Sequence, residues 1–319
     1  MSKRTIIIIV SSIVFAGLVY YAYTKIKKNL TYMDVSPVEE PKDELASMTI
    51  NTFKLEETDG PNNSWSLSSK KAEMFKKSEK IIFDKVEMIV NGDSVGKTNY
   101  KINSNKGAYF IKQDKIILES EVTILTSHGY KIVTDMLEYY TKTKKISASV
   151  PVFIEGKAPS GQKLIIQGEG IIGDLGAGAF KVVKKISTKL GPLLEISSKK
   201  AEFNTNSNKV IFEDDLIAKK DSLDITADKL VVQYSSKGEV EDIEAIGDVK
   251  IKVDKKYALC EHAIMKGNNS EVVLTGKPEF HIGKDVMVGK KIVFFTDSDE
   301  VYVEKVRAEV SEDSVRKKK

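Results

Sequence analysis

From residue 48 onward the chain alternates apolar and polar residues in short runs, the pattern of strands with one buried face. Runs such as Lys80-Ile81-Ile82-Phe83 and Lys115-Ile116-Ile117-Leu118 follow stretches of turn chemistry. Those stretches include Lys76-Lys77-Ser78, Asn204-Thr205-Asn206-Ser207-Asn208, Ser236-Lys237-Gly238, Gly267-Asn268-Asn269-Ser270 and Asp297-Ser298-Asp299. Each unit reads as a β-hairpin. Several second strands carry a small or polar break and then resume alternation, as in Ser120-Glu121-Val122-Thr123-Ile124 and Gly247-Asp248-Val249-Lys250-Ile251. Such a break suits a strand that turns a corner. Beyond the first 28 residues no segment keeps a helical period, so the expectation is an all-β stack of hairpins. Its apolar face must be covered by a second sheet or by closure.

The hairpins repeat. Residues 68–84 (SSKKAEMFKKSEKIIFD) align without a gap on residues 197–213 (SSKKAEFNTNSNKVIFE), with ten identities in 17 positions. That is internal duplication. A finer repeat begins at Trp65, Tyr100, Tyr130, Lys163, Leu194, Leu223, Tyr257 and Val286, spaced by 29 to 35 residues. Its first and third positions are apolar: Trp65/Leu67, Tyr100/Ile102, Tyr130/Ile132, Leu194/Ile196, Leu223/Ile225, Tyr257/Leu259 and Val286/Val288, with Lys163/Ile165 departing at its first position. Trp65, Leu67, Tyr100, Ile102, Tyr130, Ile132, Leu194 and Ile196 are the candidate lipid-binding positions. The stripe they form fits either a filled core or a groove left open for an acyl chain.

Residues 5–23 (TIIIIVSSIVFAGLVYYAY) carry no charge. As a helix they span roughly 28 Å, close to a bilayer core of about 30 Å. Tyr20, Tyr21 and Tyr23 cluster at one end as interfacial aromatics do, and Lys25, Lys27 and Lys28 follow. A cleaved signal peptide is the alternative, with Val14-Phe15-Ala16 as its cleavage site; the apolar run continues past it, which favours an uncleaved transmembrane anchor over residues 1–28. Lys3 and Arg4 before the span are outweighed by the three lysines after it, so charge does not favour an external C-terminus. Residues 29–47, with Pro37, Pro41 and five acids, read as a linker.

The net charge of +4 comes from the anchor. Without its five basic residues the chain has 45 basic and 46 acidic residues, a net of −1. A nucleic-acid partner, which needs a basic stripe, is excluded. Cys260 is the single cysteine, so no internal disulfide forms. His128, His262 and His281 lack metal-ligand spacing, and no cofactor or metal site is expected. His262 lies two residues from Cys260, which on a plain strand puts both on one side. The acid pairs Asp214/Asp215 and Glu241/Asp242 adjoin turns or strand ends, where solvated acids are routine. Gly168-Glu169-Gly170 and Gly173…Gly176-Ala177-Gly178 lie between strands, so they serve turns and close sheet packing rather than a phosphate loop. No enzyme is expected.

An anchor, a linker, then Trp65-Ser66-Leu67-Ser68-Ser69-Lys70-Lys71-Ala72, and later Gln167-Gly168-Glu169-Gly170-Ile171-Ile172-Gly173-Asp174-Leu175: this order resembles the LptC type of lipopolysaccharide-export protein over roughly residues 5–187. Leu223-Asp224-Ile225-Thr226-Ala227-Asp228-Lys229-Leu230, Ala245-Ile246-Gly247-Asp248-Val249 and Leu274-Thr275-Gly276-Lys277-Pro278 resemble the related LptA/OstA type. The resemblance implies an open β-jellyroll with a hydrophobic groove, divided into an LptC-like part over 48–187, an LptA/OstA-like part over 188–310 and a tail over 311–319. It also implies an inner-membrane protein with N-terminus inside and its bulk in the periplasm. Such a protein accepts lipopolysaccharide from an inner-membrane ABC transporter. It passes the lipid toward the outer membrane, with an LptA-like bridge or a second copy joined through an edge strand. The competing reading is a structural or adhesive β-repeat scaffold with a filled core.

Overall fold

The computed structural model describes residues 38, 41, 44–59, 62–92, 98–157, 163–190, 194–204, 207, 209–220, 222–234, 240–266, 271–298, 300–305 and 307–309. The anchor at 5–23, most of the linker and the tail at 311–319 lie outside these residues. The described chain is antiparallel β-sheet with one 3-10 turn at Ile111–Gln113. Its strands are β1 (Met48–Asp59), β2 (Asn62–Phe75), β3 (Lys80–Val90), β4 (Tyr100–Phe110), β5 (Lys115–Thr126), β6 (Lys131–Tyr140) and β7 (Lys145–Lys157). They continue as β8 (Lys163–Asp174), β9 (Ala179–Leu190), β10 (Leu194–Ser198), β11 (Lys200–Asn204), β12 (Lys209–Lys220), β13 (Leu223–Tyr234), β14 (Val240–Val253) and β15 (Lys256–Lys266). The last six are β16 (Glu271–Thr275), β17 (Glu279–Ile282), β18 (Asp285–Val288), β19 (Lys291–Phe295), β20 (Val301–Glu304) and β21 (Arg307–Glu309).

Up to β15 the strands pair mainly with their sequence neighbours, and β9 pairs with β8 on one side and with both β10 and β11 on the other. Most strands bend near their middle. The halves at 65–69, 86–90, 100–104, 122–126 and 131–134 hydrogen-bond to one another and form a front layer. The halves at 71–75, 80–84, 106–110, 115–119 and 136–140 form a back layer. Further along, the same division appears as a split: β10, β17, β18 and β21 continue the front layer, and β11, β16, β19 and β20 the back. Two apolar layers facing each other from one folded-over meander make a β-jellyroll.

The crease follows two local rules. On β2, β6 and β15, and across the break between β10 and β11, the inward residues at the crease are three apart: Ser69 then Ala72, Thr134 then Leu137, Ser198 then Ala201, Cys260 then Ala263. Several of these small residues stitch the corner, since Ser69, Ser104, Thr134 and Ser198 donate their hydroxyls to the carbonyls of Lys71, Lys106, Met136 and Lys200 at 3.1, 2.9, 3.3 and 3.0 Å. On several of the intervening strands the inward residues are four apart, as in Leu118 to Val122, Phe212 to Leu216 and Ala245 to Val249. The two outermost residues between them are left-handed: Ser120 and Glu121 (φ 62 and 60), Asp214 and Asp215 (63 and 49), Gly247 and Asp248 (76 and 41). The first and third of these are corner breaks expected from the sequence, and glycine is the residue that takes such a conformation at least cost.

The crease corrects one expectation. Because the inward positions step by three, Cys260 is buried whereas His262 faces outward, its Nε2 2.6 Å from Glu244 Oε1. The repeat phase also shifts in places. On β8 the inward residues are Leu164 and Ile166, one position later than Lys163/Ile165. On β15 they are Ala258 and Cys260, while Tyr257 lies outside, stacked on His281 at 4.2 Å. On β18 it is Met287, between Val286 and Val288, that packs against the core. The glycines behave as expected. Gly173 leaves no room for a Cβ beside Ile146 and Phe180, and residues 175–178 form the turn into β9.

Candidate lipid-binding interior

Strand registry turns the alternation into continuous apolar rows. One front row runs through Leu67, Met88, Ile102, Ile124, Ile132, Ile154 and Ile166 on successive strands. It continues across the sheet to Phe280 and Met287, and Thr188 on β9 is its single polar member. A back row faces it, with Phe83, Leu118, Ile171, Phe212, Leu274 and Ile292 among its larger residues. Nearly every member of both rows is at most a few per cent exposed. Fully burying a Leu, Ile or Phe is worth about 1.5–3 kcal/mol, so these rows supply a large share of the driving force for the fold.

The candidate residues fall on two adjacent front rows. Leu67, Ile102, Ile132 and Ile196 lie on the central row and are buried. Trp65 and Tyr100, also buried, lie one step nearer the free lip opposite the crease; Tyr130 and Leu194 lie at the same level and are half-buried against the core. The sequence reading missed the intervening strands, which add Met88, Ile124 and Ile154, and the whole back layer. Their alternation was readable, but pairing partners are not contained in a single strand's pattern.

At the lip the layers touch through aromatic rings. Trp65 meets Tyr109 and Tyr139 edge-on, each at 6.4 Å between centroids. Tyr100 meets Phe180 at 5.9 Å, and Tyr130 meets Phe203 at 6.1 Å. In each pair the first ring is in the front layer and the second in the back. Trp65 is fixed further by its indole N–H, which donates to Glu57 Oε2 at 2.5 Å. Tyr130 lies against Gly156, where a Cβ would come within 2.4 Å of its ring. Burial raises the Tyr130 hydroxyl above its usual value, and that of Tyr234 far above it. Both therefore stay neutral in an apolar setting.

Among the described residues no group of His, Cys, Asp or Glu could hold a metal ion. Asp214 and Asp215 are exposed at the outer corner and pair with Lys200 and Lys199 at 2.6 and 2.5 Å. What the arrangement can do is hold apolar matter between two layers that join along a crease and touch at a lip.

The model of the lipopolysaccharide-assembly, LptC-related family matches residues 6–191, more than half of the chain. The chain belongs to the LptC-related family. A second family, the LptA/LptD N-terminal-domain lipopolysaccharide transport proteins, matches residues 195–300. The LptC-related part and the LptA-like part thus meet just after β9. Among solved structures, LptH of Pseudomonas aeruginosa, described as the LptA-homologous periplasmic component of the lipopolysaccharide transport device, aligns at 13% identity. That alignment covers 37% of this chain and 94% of LptH, with a TM-score of 0.35. No curated protein matches the chain. As an LptC-related protein carrying an LptA-like region, the chain is a component of lipopolysaccharide transport, and members of this family are transport proteins rather than enzymes. Nothing in the matches favours the adhesive scaffold.

Proposed function

We propose that the space between the two layers is the path along which the acyl chains of lipopolysaccharide travel. The observation that carries this reading is the apolar row that runs unbroken, save for Thr188, through both family matches. Exposing a twelve-carbon chain to water costs on the order of 10 kcal/mol, at about 0.8 per CH₂. A continuous apolar interior removes that barrier at every step, so no catalytic residue is needed. In the described structure the interior is closed, so lipid enters as the layers part at the lip and the crease acts as hinge.

Residues 5–23 hold the protein in the inner membrane in this account, with the bulk of the chain in the periplasm. Among the described residues no helix is long and apolar enough to cross a membrane; the anchor rests on its sequence alone. A tether keeps the first strands close to an inner-membrane ABC transporter and raises the effective concentration of the receiving end. The LptC-like part at 48–187 receives lipid, and the LptA-like part at 188–310 extends the path. At the far end, β20 pairs only with β19 and β21 only with β18 among the described strands. An LptA-like bridge or a second copy joins there by adding a strand. Mass spectrometry of the full-length protein purified from membranes tests the account. Lipopolysaccharide bound in stoichiometric amount is expected, and a lipid-free protein contradicts the proposal.

A further inference from the structure

Thr188 interrupts an otherwise apolar row. Its registry neighbours are Ile166 on β8 and Ile196 on β10, and Ile186, two residues earlier on its own strand and on the same face, is also buried. The side chain is 1% exposed, and its Oγ1 has no hydrogen-bond partner among the described residues. Other inward hydroxyls differ. Ser69, Ser104 and Ser198 each donate to a crease carbonyl, Thr134 donates to Pro151 O at 3.0 Å, and Thr126 accepts from the Tyr130 N–H at 3.0 Å. A buried hydroxyl with no partner is a standing cost that valine, of nearly the same shape, would avoid. Its location is also particular: three residues before the end of the LptC-related match and seven before the start of the LptA-like match.

We infer that Thr188 is a ligand-binding residue, a polar docking point in the conduit where lipid passes from one half to the other. This rests on the acyl-chain path proposed above. Both the donor and the acceptor capacity of the threonine are vacant. A ligand carbonyl fills only the first, whereas a ligand hydroxyl fills either or both. The group that fits is therefore a hydroxyl on an acyl chain. A hydroxyacyl chain pauses in register at Thr188, whereas a plain chain slides past.

The test is binding of myristate and 3-hydroxymyristate to the full-length protein and to its Thr188→Val and Thr188→Ser variants, together with thermal melting. The native protein should prefer the hydroxylated acid by about tenfold, the factor one well-made hydrogen bond to a buried group gives. Thr188→Ser keeps the preference and Thr188→Val loses it. Without ligand, Thr188→Val should melt no lower than the native protein, because it removes an unsatisfied group. An equal preference in native and Thr188→Val proteins, or none in either, overturns the docking point and leaves the acyl path intact. A lower melting temperature for Thr188→Val also overturns it, since the hydroxyl would then already be satisfied within the fold. Failure of all three proteins to bind either acid overturns the acyl path as well.

Discussion

The two halves of the jellyroll close their interiors differently. In the LptC-related half, strands β2 to β9 run unbroken through the crease, and large residues fill the front row, with Ile102, Ile124, Ile132 and Ile154 facing a back row in which Phe83, Leu118 and Leu137 alternate with Ala72, Gly107 and Ala148. Aromatic pairs from Trp65 to Tyr130 then seal the lip, the last of them reaching Phe203 on β11. In the LptA-like half several strands are split at the crease, and alanine enters the front row as well, at Ala218 and Ala258, besides Ala201, Ala245 and Ala263 in the back row. Its cross-layer ring contact, Phe280 with Phe294 at 4.9 Å, involves the central front row rather than the lip. One half is clasped at its margin and the other packed at its middle. In the proposed account, the half that receives lipid is thus the one that opens by separating specific rings.

The largest effect expected from this difference is at Trp65. Trp65→Ala removes the ring that meets both Tyr109 and Tyr139 and should lower the free energy of unfolding by about 3–5 kcal/mol in urea titrations. Phe280→Ala should cost a similar amount, but only Trp65→Ala should ease lipid entry to Leu67. Equal effects on entry would erase the distinction. Ile132→Ala in the first half should cost about 2–5 kcal/mol through the cavity it leaves. In the second half the opposite change, Ala258→Leu, should cost about 1–3 kcal/mol by overpacking. A neutral Ala258→Leu would mean that this half has unfilled room. At the corners, Gly247→Ala should cost about 1–2 kcal/mol, because φ is +76 and the new Cβ meets Asp228. Ser120→Gly, at an equivalent corner, should be neutral or slightly stabilising.

The smallest effect concerns Cys260, whose thiol burial pushes from 9.0 up to about 11. The folded state favours the neutral thiol, so its contribution is whole below about pH 9 and is lost as pH rises toward about 11. Thiol reagents at pH 8 should label native protein only slowly and urea-unfolded protein quickly. Rapid native labelling would place Cys260 outside the core.

Much of this fold is written locally. The period of two marks the strands, and the Ser-Glu and Gly-Asp breaks mark the corners. The duplicated stretches at 68–84 and 197–213 both span a crease, where Ser69 and Ser198 make the same hydroxyl-to-carbonyl bond. What failed was phase. Counting the unit from Lys163 misplaced its inward face by one residue, and strict alternation put His262 on the side of Cys260. The second error comes from the crease, where an inward step of three resets the alternation; the first lies at the start of β8. The candidate site was half legible for a related reason. Trp65, Tyr100 and Tyr130 stand out as unit leaders, but Tyr109, Tyr139, Phe180 and Phe203 become their partners only when the sheet folds over.

The central claim is that lipid travels between the layers, and site-specific photo-crosslinking tests it most directly. A photoreactive residue placed at inward Leu67, Ile132 or Ile196 of the full-length protein, in cells making lipopolysaccharide, should yield lipid adducts at all three. The adjacent outward positions Ser66, Lys131 and Glu195, each one residue away on the same strands, should yield none. Adducts at inward and outward positions alike, or at neither, would contradict the account.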